Sequence, residues 1–63
     1  MMAIYENIKD RCRKQKRSVL SIENKLGFAR GSIYKWNESP PGVFKIKAVA
    51  DELGCTIEEL VSD

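Results

Sequence analysis

Histidine is absent from this chain of 63 residues, and cysteine occurs only twice, at Cys12 and Cys55. Histidine is the side chain that most often serves as a general base near neutral pH, and two cysteines cannot complete the four-ligand set of a structural zinc site. A glycine-rich phosphate loop is also missing. The adjacent acids at 51–52 and 58–59 point in different directions on a helix. These absences predict a protein that is not an enzyme and holds no cofactor or metal.

Long apolar runs are missing as well. No run approaches the roughly 20 residues of a transmembrane helix, and no apolar segment near the N-terminus is of the signal-peptide type. We therefore expect a soluble cytoplasmic protein whose cysteines are reduced thiols rather than a disulfide. Apolar residues make up 43% of the chain, which is enough to build the core of one small domain over residues 1–63.

Charge is distributed unevenly along the chain. Residues 9–35 hold nine Lys or Arg and two acids, whereas residues 36–63 hold two lysines and six acids. A chain with one positive face and one acidic face orients itself toward a polyanion. The alternative is an ordinary solvated surface, which small domains also have.

The sequence of residues 18–38 predicts two short helices joined by a tight turn. Val19, Ile22 and Leu26 recur at spacings of three and four, which places them on one face of a helix. Ser18 precedes them as an N-cap, and Gly27 follows as a residue that enters the left-handed conformation easily. A further helix over about 30–38 is predicted to bury Ile33 and Trp36.

The rest of the chain also predicts helices. Apolar side chains recur every three or four residues over 3–15 and again over 43–53, where Val43 is expected to face inward and Phe44 outward. Thr56 and Glu59 form a capping-box pattern that begins a short last helix. The sequence thus predicts an all-α fold of five helices.

The pattern Leu-Gly-Phe-x-x-x-Ser-Ile-x-x-Trp over 26–36 resembles the phage-repressor and Cro-like helix-turn-helix family, also called the xenobiotic-response-element (XRE) family. Residues 50–60 resemble the part that follows in that family, and the resemblance extends over about residues 4–62. It implies a compact, lambda-repressor-like five-helix bundle. It also implies sequence-specific binding of double-stranded DNA by a transcriptional regulator of phage or bacterial type, with the helix over about 30–38 in the major groove.

The resemblance further implies which residues would contact DNA. An arginine at the start of the groove helix suits guanine, whose O6 and N7 atoms accept its paired donors. The residues expected to face base edges are Arg30, Gly31 and Lys35. Those expected to contact the sugar-phosphate backbone are Lys16, Arg17, Ser18, Ser32 and Tyr34.

Three residues of the predicted helix-turn-helix depart from the family pattern. Ala29 replaces the usual capping serine or threonine, Val19 replaces a glutamine that contacts phosphate, and Glu23 replaces a small alanine. We expect Glu23 to pair with Arg30 or Lys35. Together with Glu38, which also weakens a DNA-facing surface, these departures leave a second interpretation open, in which the fold is retained by a protein-interaction module or an antitoxin.

Helix-turn-helix modules read few base pairs each, so family members bind as two-fold pairs on palindromes. The apolar residues left for such an interface are few: Met1, Met2, Phe44 and Val61. The expectation is a monomer or a weak homodimer in solution that pairs on DNA.

Overall fold

Four α-helices and one short 3-10 helix make up the secondary structure of the computed structural model, which describes residues 3–62. No strand occurs in this range, so the all-α prediction is confirmed. The radius of gyration is 10.2 Å, close to the value of about 10.6 Å for a compact chain of this length. None of the helices within 3–62 has the length and apolarity needed to cross a membrane. The elements are α1 (Ile4–Lys14), α2 (Val19–Leu26), the 3-10 helix (Ile33–Lys35), α3 (Val43–Leu53) and α4 (Ile57–Val61).

The predicted helix ends are largely confirmed. The Ser18 hydroxyl accepts a hydrogen bond from the Ser21 N–H at 3.1 Å, and Gly27 ends α2 in the left-handed conformation with φ +76°. At α4, Thr56 and Glu59 form the reciprocal capping box. Each of these caps uses residues within a few positions of the helix end, which is why the sequence pattern predicts them.

Helix α1 ends in a Schellman motif with lysine in the place that glycine usually takes. The Lys16 N–H donates to the Arg13 carbonyl and the Arg17 N–H donates to the Cys12 carbonyl, at 3.1 and 2.8 Å. These two bonds satisfy carbonyls that the end of a helix leaves free. They require Lys16 to adopt a positive φ of 57°.

The core is formed where all five elements meet. Ile33 and Trp36 are buried as predicted, and Phe44 is exposed as predicted. Val43, predicted to face inward, is instead exposed because the first turn of α3 extends beyond the core. The buried apolar side chains are Ile4, Ile8, Cys12, Ile22, Ile33, Trp36, Ile46, Val49, Ala50, Leu53 and Leu60.

The segment over 30–38 differs from the predicted helix. Its backbone makes successive i to i+3 hydrogen bonds, and its helical part is limited to Ile33–Lys35. Gly31 has φ +84°, so right-handed helical backbone begins only at Ser32, whose φ and ψ are −64° and −40°. The first residues of the predicted helix are therefore turn.

Ion pairs connect the helices at the periphery of the core. Arg11 pairs with Glu59 and so links α1 to α4. Glu52 on α3 pairs with both Arg17 and Lys25, at 2.6 and 2.9 Å. The Arg17 guanidinium lowers the pKa of the Glu52 carboxyl by a hydrogen bond, with Lys25 adding to the effect. The backbone N–H of Thr56 similarly lowers the pKa of Glu59.

We expect the thermal midpoint of the protein to fall as the pH is lowered from about 6 to about 3. A carboxyl group whose pKa is lower in the folded than in the unfolded chain stabilises the fold above its unfolded pKa. That stabilisation is lost as the pH falls through the folded pKa. Thermal melts followed by circular dichroism should show a shallower pH dependence for Glu52→Gln than for the wild type. The control is Glu58→Gln, on an exposed glutamate of α4, and equal slopes for both variants would contradict the role of Glu52.

Candidate nucleic-acid interface

Glu23 holds the turn that leads into the 3-10 helix. Its side chain is only 2% exposed. One carboxylate oxygen accepts from the Gly31 N–H at 3.0 Å, and the other accepts from the Ile33 N–H at 3.1 Å. The expected pairing of Glu23 with Arg30 or Lys35 is wrong, because the carboxylate lies beneath the backbone of this segment and bonds to it instead. Glu23 thus takes over the capping function that Ala29 lacks.

The three residues expected to face base edges lie on this segment. Arg30 and Lys35 are exposed and lie on either side of the capped turn. Neither makes an ion pair with another residue of the described chain. Gly31 needs glycine for its backbone conformation rather than for space, since a Cβ atom built there meets no other atom within 4 Å. Within the described residues, Arg30 and Lys35 are therefore unpaired cations beside a turn whose backbone is hydrogen-bonded to Glu23.

Ser32 and Tyr34 differ in how accessible their polar groups are. The Ser32 hydroxyl oxygen is buried and finds no hydrogen-bond partner within residues 3–62. Tyr34 is 68% exposed, and its ring stands edge-on to the ring of Tyr5 at 5.2 Å between centroids. Of the two, Tyr34 is the one whose side chain already faces solvent.

The three residues at the junction of α1 and α2 also differ in availability. Lys16 is exposed in the turn after α1, and Ser18 is exposed at the start of α2. Arg17 is half-buried, and its guanidinium donates to the Glu52 carboxylate at 2.6 Å and to the Glu52 carbonyl at 3.3 Å. Arg17 is therefore engaged in holding α3, whereas the Lys16 ammonium makes no ion pair within residues 3–62.

A basic groove lies beside this junction, between α1 and the start of α2. It encloses about 390 Å³ and combines three cations with an apolar floor. Lys9 and Arg13 were not among the predicted site residues, although Tyr5, Lys9 and Arg13 recur every four residues and so share one face of α1. The Lys9 ammonium lies 5.8 Å from the centroid of the Tyr5 ring, within cation–π range. The groove is lined by Tyr5, Lys9, Cys12, Arg13, Arg17, Ser18 and Val19.

Tyr5 joins the basic groove to the segment that carries Lys35. Besides lining the groove, it lines a smaller depression of about 170 Å³ with Tyr34 and Lys35. Its backbone N–H, in the first turn of α1, donates to the Asn37 side-chain oxygen at 2.9 Å. The groove and the exposed segment are consequently parts of one surface. Two acids, Glu6 and Glu38, also line the depression and outnumber its one cation, Lys35, so the positive charge of this surface comes from the basic groove.

The thiols add no reactive group to this surface. Cys12 and Cys55 are both free, and burial raises the pKa of each. A thiol whose pKa is raised stays protonated near neutral pH and is a poor nucleophile and metal ligand. Within residues 3–62, no three His, Cys, Asp or Glu side chains gather in a way that could hold a metal ion. The groups that this surface presents are cations, hydrogen-bond donors and the exposed ring of Tyr34.

Comparisons of this chain with protein-family models, with curated proteins and with solved structures gave no significant match.

Proposed function

We propose that this protein binds double-stranded DNA sequence-specifically, as a transcriptional regulator of the phage-repressor and Cro-like (XRE) type. In this proposal α2, the turn over 27–32 and the 3-10 helix form the helix-turn-helix. The observation that carries it is the single surface on which the basic groove adjoins Tyr34 and Lys35 at Tyr5. Cations on such a surface neutralise phosphates and displace counterions, which is the main source of affinity for duplex DNA.

Each contact has its own chemical basis. Arg30 presents two donors suited to guanine O6 and N7, and Lys35 presents one flexible ammonium group. Gly31 lets the backbone approach the base edges because it has no side chain. Lys16, Ser18 and Tyr34 face solvent and are the phosphate contacts that need no rearrangement.

Two of the expected backbone contacts require a change in the free protein. Arg17 has to exchange its bonds to Glu52 for a phosphate oxygen, and the Ser32 hydroxyl has to turn out of its buried position. Lys9 and Arg13 also line the groove and join the proposed phosphate contacts, Arg13 being held only by a long, exposed ion pair with Asp10 at 3.7 Å.

The assembly we propose is a weak homodimer that pairs on DNA. The exposed apolar side chains near one another in sequence are Val43 and Phe44, at the start of α3. Two side chains bury far less than the roughly 1,200 Å² of a standard stable interface, so DNA has to supply part of the pairing energy. Val61 is half-buried, and the other two residues expected at this interface, Met1 and Met2, lie outside the described residues.

Arg30→Ala and Lys16→Ala test the proposal by their contrasting effects. If Arg30 reads a base edge, its loss should cost about 1–3 kcal/mol on the preferred duplex and relax discrimination at one base pair. Loss of Lys16 should weaken binding to all sequences alike and make the salt dependence shallower by about one unit. The preferred duplex is first obtained by selection from random DNA, and binding to it and to a scrambled duplex is then measured across a salt series.

The outcomes separate the classes of function. Equal losses on both duplexes for Arg30→Ala would make Arg30 a phosphate contact and leave Lys35 as the base reader. Absence of duplex binding at low salt would reject the DNA proposal. A protein-interaction module or antitoxin would then be the second candidate, favoured by the exposed Val43 and by Phe44, which is 87% exposed.

A further inference from the structure

We propose that Glu23 is a positioning residue for base reading: it fixes the backbone from which Arg30 and Lys35 extend and so determines sequence discrimination without touching DNA. This inference rests on the proposed function. Its structural basis is the pair of hydrogen bonds from the Gly31 and Ile33 N–H groups to the two oxygens of one buried carboxylate.

Apart from these two hydrogen bonds, the segment over 30–35 has few interactions that fix its backbone conformation. Its 3-10 helix has three residues and no side-chain cap of its own, and short 3-10 helices have poorer hydrogen-bond geometry than α-helices. Gly31 is open to several backbone conformations because it lacks a Cβ atom. The two bonds that Glu23 accepts select one of these, with Gly31 at φ +84°, and thereby fix the direction in which Arg30 leaves the backbone.

Glu23 also couples this segment to α2. It lies in the middle of α2, which begins at the proposed phosphate contact Ser18. In protein–DNA complexes, phosphate contacts fix the position of the protein on the duplex. A rigid link from the residues that contact phosphate to those that contact bases would then fix the position of the latter as well. Loss of Glu23 should therefore disturb base reading more than phosphate binding.

A carboxylate suits this position better than an amide does. Both backbone partners are donors, and a carboxylate has two acceptor oxygens, whereas glutamine has one acceptor and one NH2 donor. Glu23→Gln keeps the volume of the side chain but leaves one N–H facing a donor. It is the least disruptive change that removes part of the link.

The experiment compares Glu23→Gln with wild type and with Glu58→Gln, an exposed glutamate on α4. Without DNA, amide hydrogen exchange is measured at Gly31 and Ile33, where Glu23→Gln should accelerate it by about tenfold, the order of one lost buried hydrogen bond. With DNA, the ratio of affinities for the preferred and scrambled duplexes should fall by about tenfold. The salt slope should stay unchanged, since no cation is removed. Glu58→Gln should alter none of these quantities.

Two further variants keep the test informative if Glu23→Gln folds poorly. Gly31→Ala leaves Glu23 in place but disfavours the positive φ, and without DNA it should accelerate amide exchange at Ile33, a result that does not depend on how closely position 31 approaches a base. Ala29→Asp, added to Glu23→Gln, places an N-cap acceptor two residues before Gly31. It should recover part of the lost discrimination and slow exchange at Gly31.

Unchanged exchange at Gly31 and Ile33 in Glu23→Gln would overturn the inference, because the carboxylate would not be holding the segment. Faster exchange with unchanged discrimination would overturn it too, because the shape of the segment would not set base reading. A wild-type chain that binds no duplex rejects the proposed function and this inference together. That outcome is distinguishable from the other two because it concerns the wild type rather than the variants.

Discussion

Trp36→Ala is expected to destabilise the fold by about 3–5 kcal/mol, the range for removing a buried tryptophan. Trp36 is only 4% exposed, and its ring packs against Phe28 at 5.8 Å between centroids with the planes tilted by 58°. A 63-residue domain has a total stability of roughly 3–9 kcal/mol at the usual value per residue. The variant should therefore be largely unfolded or only marginally folded at room temperature.

Thermal and urea unfolding followed by circular dichroism measure this effect. Phe44→Ala is the matched control, because it removes an aromatic side chain of comparable size that is 87% exposed. We expect it to change the free energy of unfolding by no more than about 0.5 kcal/mol. A Trp36→Ala protein that melts cooperatively near the wild-type temperature would mean that Trp36 does not anchor the segment after the 3-10 helix.

Leu60→Ala is expected to cost about 2–5 kcal/mol and to release α4 from the core. Helix α4 has five residues, far fewer than a helix needs to be stable by itself, so it depends on the packing of its buried side chain. Leu60 is fully buried. Its carbonyl accepts from the Asn7 side-chain amide at 2.8 Å, which ties the end of α4 to α1.

Glu58→Ala is the control within the same helix, since Glu58 is exposed and alanine is a good helix former. Urea unfolding gives the free energies of both variants, and amide exchange in α4 shows whether that helix opens separately. Comparable free energies of unfolding for Leu60→Ala and Glu58→Ala would contradict the dependence of α4 on Leu60.

The features that the sequence predicts correctly are local ones. Ser18, Gly27 and the Thr56–Glu59 box define helix ends through bonds that span at most a few residues. Burial of Ile33 and Trp36 follows from their spacing of three, which places two residues on one side of the backbone in a 3-10 turn as well as in an α-helix. Caps and apolar spacing can be predicted from neighbouring residues because the interactions that produce them span about one helical turn.

The features that the sequence does not predict depend on residues brought together by folding. Neither α1 nor the segment over 30–35 has a local capping side chain, and both are capped by side chains from elsewhere in the chain. Asn37 accepts from the Tyr5 N–H across 32 residues, and Glu23 accepts from Gly31 and Ile33 across the turn. Likewise, the bonds from Arg17 to Glu52 cross from the junction to α3, so a residue read as a free cation is engaged within the fold.

The residues of the proposed site also differ in whether the sequence or only the folded chain indicates them. Arg30 and Lys35 come from the resemblance and remain predictions, to which the structure adds their exposure. Lys9 and Arg13 are not among the predicted contacts, because the sequence does not show that their face of α1 adjoins the start of α2. The basic groove becomes apparent only when that face is set beside the start of α2.

Lys16 places two evolutionary pressures in opposition at one position. A lysine held at φ +57° bears a conformational cost of roughly 1–2 kcal/mol that glycine would not. Substitution by glycine would relieve that cost and at the same time remove an exposed cation from the proposed phosphate-binding junction. Selection for a more stable fold would favour glycine here, whereas selection for tighter binding to a polyanion would keep lysine. The residue that related chains have at position 16 would therefore indicate which of the two pressures acted on them.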